Sequence, residues 1–326
     1  MIIRRAQDIH TSVSNDMSGL SPGDSAIVHM RTESADYNLA ARRLAVVCAW
    51  NGSQDVGVDG RRVLVDDDTW LAVPAGPANV RIRSTQPVQA LTILFRLGMP
   101  EEVLATLLTA DDQMLDDGEP SATGLPFAPH LQPHDRSVTP VLLFIRRHCE
   151  MGLDDPLWYE EQLAFLLERM LLRHRQVVAR ARAVPARRAA TRREILRRIS
   201  LATDFIHANH CRPLMLNDMA ASAFLSRHHF LRLFKHIHTV TPHEYLQRKR
   251  TTVAARLLKC RDLGVEEIVK RVGFDSRSTL FRALRRFHGI TPRECRGMTD
   301  TPTFMGSGRA AGVWPLDGMT SAFEAV

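Results

Sequence analysis

The sequence lacks any long apolar run and any close pair of cysteines, and each absence excludes a class of protein. No stretch approaches the roughly 18 apolar residues that a membrane-spanning helix requires. Residues 1–16 contain two arginines with no apolar segment behind them, which is not the pattern of a secretory signal. The five cysteines are scattered, so we expect neither a disulfide framework nor a cysteine zinc site. These features predict a cytoplasmic protein with no membrane partner.

Histidine is absent between residues 30 and 129, and this gap bears on catalysis. A metal-dependent enzyme would need a cluster of histidines and carboxylates as ligands. The adjacent His228 and His229 cannot supply one, because neighbouring side chains on a helix diverge by about 100°. No P-loop or G-x-S-x-G motif is present, and Asp66–Asp68 is interpreted as a solvated charge run beside a turn. We therefore predict no catalytic site, no metal and no cofactor.

Charge is distributed unevenly along the 326 residues. The net charge of +7 combines an acidic first part with a basic last third. Residues 1–150 hold 13 Arg and Lys against 19 Asp and Glu, whereas residues 191–298 hold 22 against 9. Such a concentration of positive charge is typical of a surface that binds the phosphate backbone of a nucleic acid. Charge alone leaves RNA, anionic lipid and an acidic protein open as partners.

Local patterns divide the chain into a strand-rich part and a helical part, which predicts an α+β multidomain protein. Short, evenly spaced apolar runs over 40–97 predict the strands of a small barrel or sandwich. Apolar residues at spacings of three and four predict helices over 136–178. The basic, proline-broken segment 181–191 is interpreted as a linker, 192–298 as an all-helical domain and 299–326 as a flexible tail.

The all-helical domain contains an internal repeat at a constant offset of 50 residues. Residues 226–244 and 276–294 share seven identical positions. Upstream the offset falls to 49, which a one-residue difference in a turn between two helices explains. Each repeat is therefore predicted as a helix, a short turn, a second helix and a Thr-Pro stop. The two helix-turn-helix units are expected at about 216–238 and 265–288.

The second helix of each unit divides into an apolar side and a basic side on a helical wheel, with Ser226 and Ser276 as N-caps. Such a helix fits the major groove, where arginine pairs with guanine and apolar atoms contact the thymine methyl group. A solvated basic surface remains the alternative for any one arginine. It does not explain why two outward sides match, or why they include Leu231 and Phe281. The outward residues are Arg227, His228, Leu231, Arg232 and Lys235 in the first unit and Arg277, Ser278, Phe281, Arg282 and Arg285 in the second.

The second unit carries a specific motif. The stretch IVKRVGFDS at 268–276 is followed by Arg282, a Gly-Ile-Thr-Pro segment and Arg296, and the first unit has a looser version of this pattern. By these residues, 199–297 resemble the DNA-binding domain of the AraC/XylS family of bacterial transcription regulators. The resemblance covers under a third of the chain.

The resemblance implies a seven-helix, two-lobed domain with two recognition helices in successive major-groove segments of double-stranded promoter DNA. A connecting helix is expected over 243–259. Carried over position by position, base contacts are implied for Arg227, His228, Leu231 and Arg232 and for Arg277, Ser278, Phe281 and Arg282, with Thr279 nearer the backbone.

Three positions depart from the family pattern. Phe224 and Thr239 stand where the family usually has glycine, and Cys295 stands where the usual residue is aromatic. A bulky residue in the turn of the first unit predicts an altered turn and a slightly displaced first recognition helix.

For residues 1–180 the resemblance implies a cupin-like effector-binding barrel followed by a helical dimerisation element over 136–178. Trp50 and Trp70 are interpreted either as pocket residues or as core. The leucines near 158–178 serve either a partner helix or packing on the barrel. The implied function is that of a transcription regulator that is not an enzyme: an activator controlled by an unknown small-molecule effector, acting as a homodimer with RNA polymerase.

Two other functions remain open from the residues alone. A metal-free cupin-type enzyme fused to a nonspecific DNA anchor would show turnover and similar affinity for random DNA. A nucleoid or RNA-binding protein would bind unrelated duplex or RNA as well as it binds any one site.

Overall fold

The chain forms two compact units, Met1–Lys249 and Arg250–Val326. The first unit contains a β-sheet, its covering helices and the first helix-turn-helix, and the second contains the second helix-turn-helix. The computed structural model describes residues 1–6, 21, 23–39, 42–109, 130–182, 189–259 and 263–297.

Eight strands form one sheet in the first unit. The path through the sheet is β1-β2-β7-β3-β6-β8, and β4 pairs with β5 and with β7 off this path. The strands are β1 (Ile2–Ala6), β2 (Ala26–Leu39), β3 (Ala45–Trp50), β4 (Ser53–Val58), β5 (Arg61–Asp66), β6 (Thr69–Val73), β7 (Ala78–Leu94) and β8 (His130–Pro133).

The sheet does not close, so the predicted cupin-like barrel is wrong in this respect. Closure requires every strand to pair on both sides. Among the described residues, β1 pairs only with β2, and β8 pairs only with β6. The sheet curls because the long strand β7 pairs with β4 along its first half and with β3 along its second half. A register shift between Thr32 and Ser34 bends β2 at the same level, and the curled sheet encloses an apolar interior.

Three helices cover the outer face of the sheet: α1 (Met99–Thr109), which precedes β8, and α2 (Thr139–Glu150) and α3 (Pro156–Arg182), which follow it. Helix α3 begins directly after Asp155, whose carboxylate accepts hydrogen bonds from the backbone N–H groups of the first turn at 3.1 and 3.2 Å. None of the described helices is long and apolar enough to cross a bilayer.

The layer between the outer face of the sheet and the helices shows which interpretation holds for the two tryptophans and for the leucines of α3. Trp50 and Trp70 lie in it as buried core residues. Although Leu157 and Phe165 of α3 are exposed, its leucines at 163, 166, 167 and 171 are buried in the same layer. They pack on the sheet of their own unit, which is the second of the two roles considered for them.

Seven helices make up the rest of the described chain. The 181–191 linker falls largely on residues 183–188, and the tail on 299–326; both stretches lie outside the described residues. The helices are α4 (Ala189–Asn209), α5 (Leu216–Ser222), α6 (Arg227–His238), α7 (Pro242–Lys259), α8 (Val265–Val272), α9 (Arg277–His288) and α10 (Pro292–Gly297).

The turn of the first helix-turn-helix is not altered by Phe224, and the prediction of an altered turn is wrong. Phe224 adopts a φ of +53°, close to the +79° of Gly273 at the equivalent place in the second unit. In both turns the residue with positive φ donates its N–H to the carbonyl three residues earlier, at 2.9 and 3.2 Å. The next residue donates to the carbonyl five residues earlier, at 3.0 Å in both. These bonds hold Phe224 in the left-handed region at a cost of about 1–2 kcal/mol.

Thr239 repeats this situation at the other end of α6. It caps the helix with a φ of +63°, and Gly289 caps α9 with a φ of +70°. Both departures from glycine therefore keep the backbone that glycine would adopt. The third departure, Cys295, is a buried core residue of the second unit.

Candidate nucleic-acid interface

Helix α6 is held in the first unit by its apolar side. Its buried residues pack against α4, α5 and the first turns of α7. The Phe234 ring contacts His238 and Tyr245, with ring centroids 4.4 and 5.5 Å apart. The Tyr245 hydroxyl in turn lies 2.9 Å from His207 Nε2 on α4. These contacts fix the rotation of α6 about its own axis, and with it the direction of its outer side. The buried side chains are Phe230, Leu233, Phe234 and Ile237.

The other side of α6 is exposed within the first unit. It consists of the five residues that the helical wheel places outward: Arg227, His228, Leu231, Arg232 and Lys235. Leu231 lies among these polar groups with 37% of its surface exposed. An apolar side chain within a basic surface is suited to a partner that presents both phosphate and apolar groups.

Helix α9 has the same arrangement within the second unit. Leu280, Ala283 and Leu284 are buried against α7 and α8. The exposed side consists of Arg277, Ser278, Phe281, Arg282 and Arg285. Phe281 is 37% exposed, the same fraction as Leu231 fifty residues earlier. The two helices therefore agree in which positions they expose as well as in which they bury.

The N-caps differ between the two helices. The Ser276 hydroxyl accepts a hydrogen bond from the Thr279 N–H at 3.2 Å, as predicted. Its oxygen also lies 2.9 Å from Thr279 Oγ1, so Thr279 is half-buried in the cap. Ser226 has the extended backbone of an N-cap but makes no such side-chain bond to α6, so this part of the prediction is wrong.

Two of the predicted contact residues have intramolecular partners. The Arg277 guanidinium donates to Glu266 on α8 at 2.5 Å, and both side chains are more than half exposed. Arg282 Nε lies 3.4 Å from the Ser278 carbonyl oxygen of its own helix. Exposed pairs of this kind contribute about 0–1 kcal/mol, so a phosphate or a base can displace the carboxylate.

A buried ion cluster in the first unit was missed by the sequence analysis. Lys249 on α7 is buried, and its ammonium donates to the carboxylates of Asp66 at 2.7 Å and of Asp68 at 2.8 Å. The interpretation of Asp66–Asp68 as a solvated charge run is therefore wrong. The partner lies 183 residues away from Asp66, and no local pattern signals it.

Two further titratable groups lie close to this cluster. Asp204 on α4 accepts hydrogen bonds from Arg61 and, at 3.2 Å, from the Leu131 N–H. Burial nevertheless raises the pKa of Asp204 to about 6, because the loss of hydration outweighs both partners. Burial lowers the pKa of His134 to about 4, although the nearby Asp68 and Asp66 oppose the shift.

These two shifts predict opposite effects on the pH dependence of stability. The pKa of His134 is depressed in the folded state, so its contribution is present above about pH 6.5 and is lost as the pH falls towards 4. His134→Gln is expected to remove up to about 3 kcal/mol of this loss, so that the free energy of unfolding varies less with pH. The pKa of Asp204 is raised in the folded state, so its contribution to the free energy of unfolding is lost as the pH rises through 6. Asp204→Asn removes this opposing contribution, and the free energy of unfolding is then expected to fall more steeply as the pH drops below 6. Urea unfolding between pH 4 and 7 measures both, and equal slopes for the two variants would contradict this account.

The family match lies in the helical part of the chain. A family model described as a helix-turn-helix domain matches residues 219–298. The chain is 33% identical over 98 residues to the HTH-type transcriptional regulator AlkR of Acinetobacter baylyi, covering 30% of this chain and 32% of AlkR. The chain therefore spans about a third of the length of this curated relative.

Two shorter relatives are covered over most of their length. The probable transcription factor PqrA of Proteus vulgaris is 30% identical, over 28% of this chain and 78% of PqrA. The HTH-type transcriptional activator AarP of Providencia stuartii is 30% identical, over 30% of this chain and 71% of AarP. All three are named as regulators, which supports the prediction that the chain is not an enzyme. The chain belongs to the AraC/XylS family of transcriptional regulators.

Proposed function

We propose that the chain is a sequence-specific DNA-binding transcription regulator that reads double-stranded promoter DNA with the exposed sides of α6 and α9. The observation that carries the proposal is the match between these two surfaces. Each presents arginines and one 37% exposed apolar residue at the same helical positions, on a backbone fixed by an equivalent core. If the repeat served only folding, a match between the buried sides of the two helices would be enough, and their exposed sides would be free to differ.

The side chains fit the chemistry of base edges. Arginine donates two hydrogen bonds to guanine O6 and N7, and an apolar group contacts the thymine methyl. We assign base contacts to Arg227, His228, Leu231 and Arg232 on α6 and to Arg277, Ser278, Phe281 and Arg282 on α9. Thr279 is assigned to the backbone, since its hydroxyl lies in the N-cap of α9. The excess of basic over acidic residues in 191–298 supports phosphate binding around both helices.

The remaining parts of the proposal concern regulation. We propose that the strand-rich part of the first unit binds a small-molecule effector and that the chain acts as a homodimer, as the family resemblance implies. We also propose that the chain is a cytoplasmic activator that contacts RNA polymerase, as the family resemblance implies. The relative AarP is named as a transcriptional activator, which supports the activator role alone.

The test is alanine substitution at the two equivalent arginines. Arg232→Ala and Arg282→Ala are each expected to cost about 1–3 kcal/mol of binding free energy, which is roughly 5- to 150-fold in affinity. Each should also relax the preference at one base pair. Arg62→Ala is the matched control, because Arg62 is an exposed, ion-paired arginine on β5 of the sheet.

The measurement requires the cognate site, which genome-wide mapping of bound DNA supplies. Fluorescence anisotropy with the mapped duplex and with single base-pair variants then gives affinity and selectivity at fixed salt. Full affinity and selectivity in both arginine variants would contradict the assignment. Equal competition by unrelated duplex or by RNA would instead support a nucleoid or RNA-binding protein.

A further inference from the structure

Phe224, in the turn between α5 and α6, combines two unfavourable features. Its backbone lies in the left-handed region that glycine adopts at the equivalent place in this same chain. Its side chain is 72% exposed, so it contributes little to the core of the first unit. Glycine at this position would avoid the backbone strain and expose no apolar side chain to water. Strain of this kind persists where the side chain has a use outside the fold.

The position of Phe224 in the unit indicates which partner it can contact. In a helix-turn-helix the first helix crosses the DNA backbone, and the N-terminal residues of the second helix reach the base edges. Phe224 lies between these two elements, two residues before the N-cap Ser226 and three before Arg227. The turn is therefore expected to lie beside the sugar-phosphate backbone when α6 enters the groove.

The surroundings of Phe224 are basic. Arg198 on α4 donates from its guanidinium to the Phe224 carbonyl oxygen at 3.1 Å. The same guanidinium pairs with Glu194 at 2.7 Å, so Arg198 lies beside the backbone of the turn. Arg227 and His228 follow within four residues, and both are exposed. An exposed aromatic ring within a basic segment suits a strand whose apolar sugars alternate with phosphates.

We propose that Phe224 is an additional DNA-contact residue whose ring packs against a deoxyribose at the edge of the segment read by α6, with Arg198 beside it on the adjacent phosphate. The inference rests on the proposed function, because it requires α6 to enter the major groove. It adds a contact that the family pattern does not carry, since the family usually has glycine at this position.

The central variant is Phe224→Gly, which relieves the backbone strain and removes the ring. Its melting temperature is expected to stay level or to rise by about 2 °C, because glycine adopts this backbone freely. Its affinity for the mapped cognate duplex is expected to fall about 5- to 10-fold, since the apolar contact is lost. The dependence of affinity on salt should be unchanged, because no charge is removed.

Thr239→Gly is the matched control. Thr239 is the other non-glycine residue with positive φ in the first helix-turn-helix, but it caps the opposite end of α6. The control gains the same backbone freedom without losing a contact at the turn, so its affinity should equal that of the wild type. Phe224→Leu keeps apolar bulk and should bind with intermediate affinity.

Hydroxyl-radical footprinting gives a direct readout, since it reports which deoxyriboses the protein covers. Phe224→Gly should expose one or two sugars at one edge of the first segment and leave the rest of the footprint intact. Unchanged affinity and footprint in Phe224→Gly would overturn the inference. An equal loss of affinity in Thr239→Gly would also overturn it, because the cause would then be a looser α6.

Three outcomes separate this inference from the proposed function. If Arg232→Ala weakens binding and Phe224→Gly does not, only the Phe224 contact is wrong. If Phe224→Gly binds DNA normally but reduces transcription, the ring contacts RNA polymerase, and the DNA contact is again overturned. A wild-type protein that shows no preference for its mapped site over random duplex would contradict the proposed function itself.

Discussion

Replacement of Lys249 by methionine is expected to lower the free energy of unfolding of the first unit by about 3–5 kcal/mol. The substitution leaves the carboxylates of Asp66 and Asp68 buried without their cation, and an uncompensated buried charge is the expensive part of such a cluster. Burial by itself lowers the pKa of Lys249, but the two carboxylates outweigh it and raise this pKa above its ordinary value. Lys249 is therefore protonated at neutral pH and carries the charge that both carboxylates need.

Urea unfolding of Lys249→Met, monitored by tryptophan fluorescence, measures the effect. A variant that combines Lys249→Met with Asp66→Asn and Asp68→Asn removes all three charges, and it should recover most of the lost stability. Arg62→Ala breaks the exposed pair with Asp55 and should cost no more than about 1 kcal/mol. If Lys249→Met lowers the free energy of unfolding as little as Arg62→Ala does, the cluster is hydrated in solution, and this account of it is wrong.

Phe234→Ala is expected to destabilise the first unit by about 3–5 kcal/mol. The Phe234 ring is fully buried and lies 5.3 Å from the Phe230 ring, in the layer that joins α6 to α4, α5 and α7. Removing it leaves a cavity in the core that fixes the rotation of α6. Leu284→Ala is the equivalent change on α9 and should destabilise the second unit by about 2–5 kcal/mol.

Tryptophan fluorescence distinguishes the two units. Three of the four tryptophans, Trp50, Trp70 and Trp158, lie in Met1–Lys249. Replacing the fourth, Trp314, by phenylalanine in every variant leaves an emission that reports the unfolding of the first unit. Phe234→Ala should shift the fluorescence transition to lower urea, whereas Leu284→Ala should shift the circular dichroism signal of the helices and leave the fluorescence transition in place. Equal shifts of the fluorescence transition by both variants would contradict the division between residues 249 and 250.

The two recognition helices could be predicted from the sequence because everything that defines them is local. The spacing of Phe230 and Phe234 sets the buried side of α6, and that of Leu280 and Leu284 sets the buried side of α9. The exposed arginines then follow from helix geometry. The role of each arginine on DNA remains a prediction, since it depends on a partner.

The open sheet could not be predicted in the same way. Strand β2 has charged and polar residues on its exposed side, so Ala26–Leu39 does not stand out as an apolar run, and β2 lies outside the predicted strand region 40–97. Whether the ends of a sheet meet depends on the pairing of distant segments such as β1 and β8. No periodicity in either segment carries that information.

The turn at Phe224 shows the limit of residue preferences. An altered turn was expected because a bulky residue such as phenylalanine rarely adopts a positive φ. The hydrogen bonds that close the turn and the packing of α5 against α6 outweighed that preference. The prediction for Asp66–Asp68 was wrong for a related reason. Three adjacent carboxylates indicate a solvated surface, and their partner Lys249 comes close only when the chain is folded.

The Lys249 cluster has a consequence for truncation. A fragment that begins at α4 would contain Lys249 and Asp204 but neither Asp66 nor Arg61. Both freed side chains would then meet water, which solvates an ammonium and a carboxylate well. Removing the whole sheet should therefore destabilise the remaining helices less than a single substitution that leaves one unpaired charge buried in the intact protein.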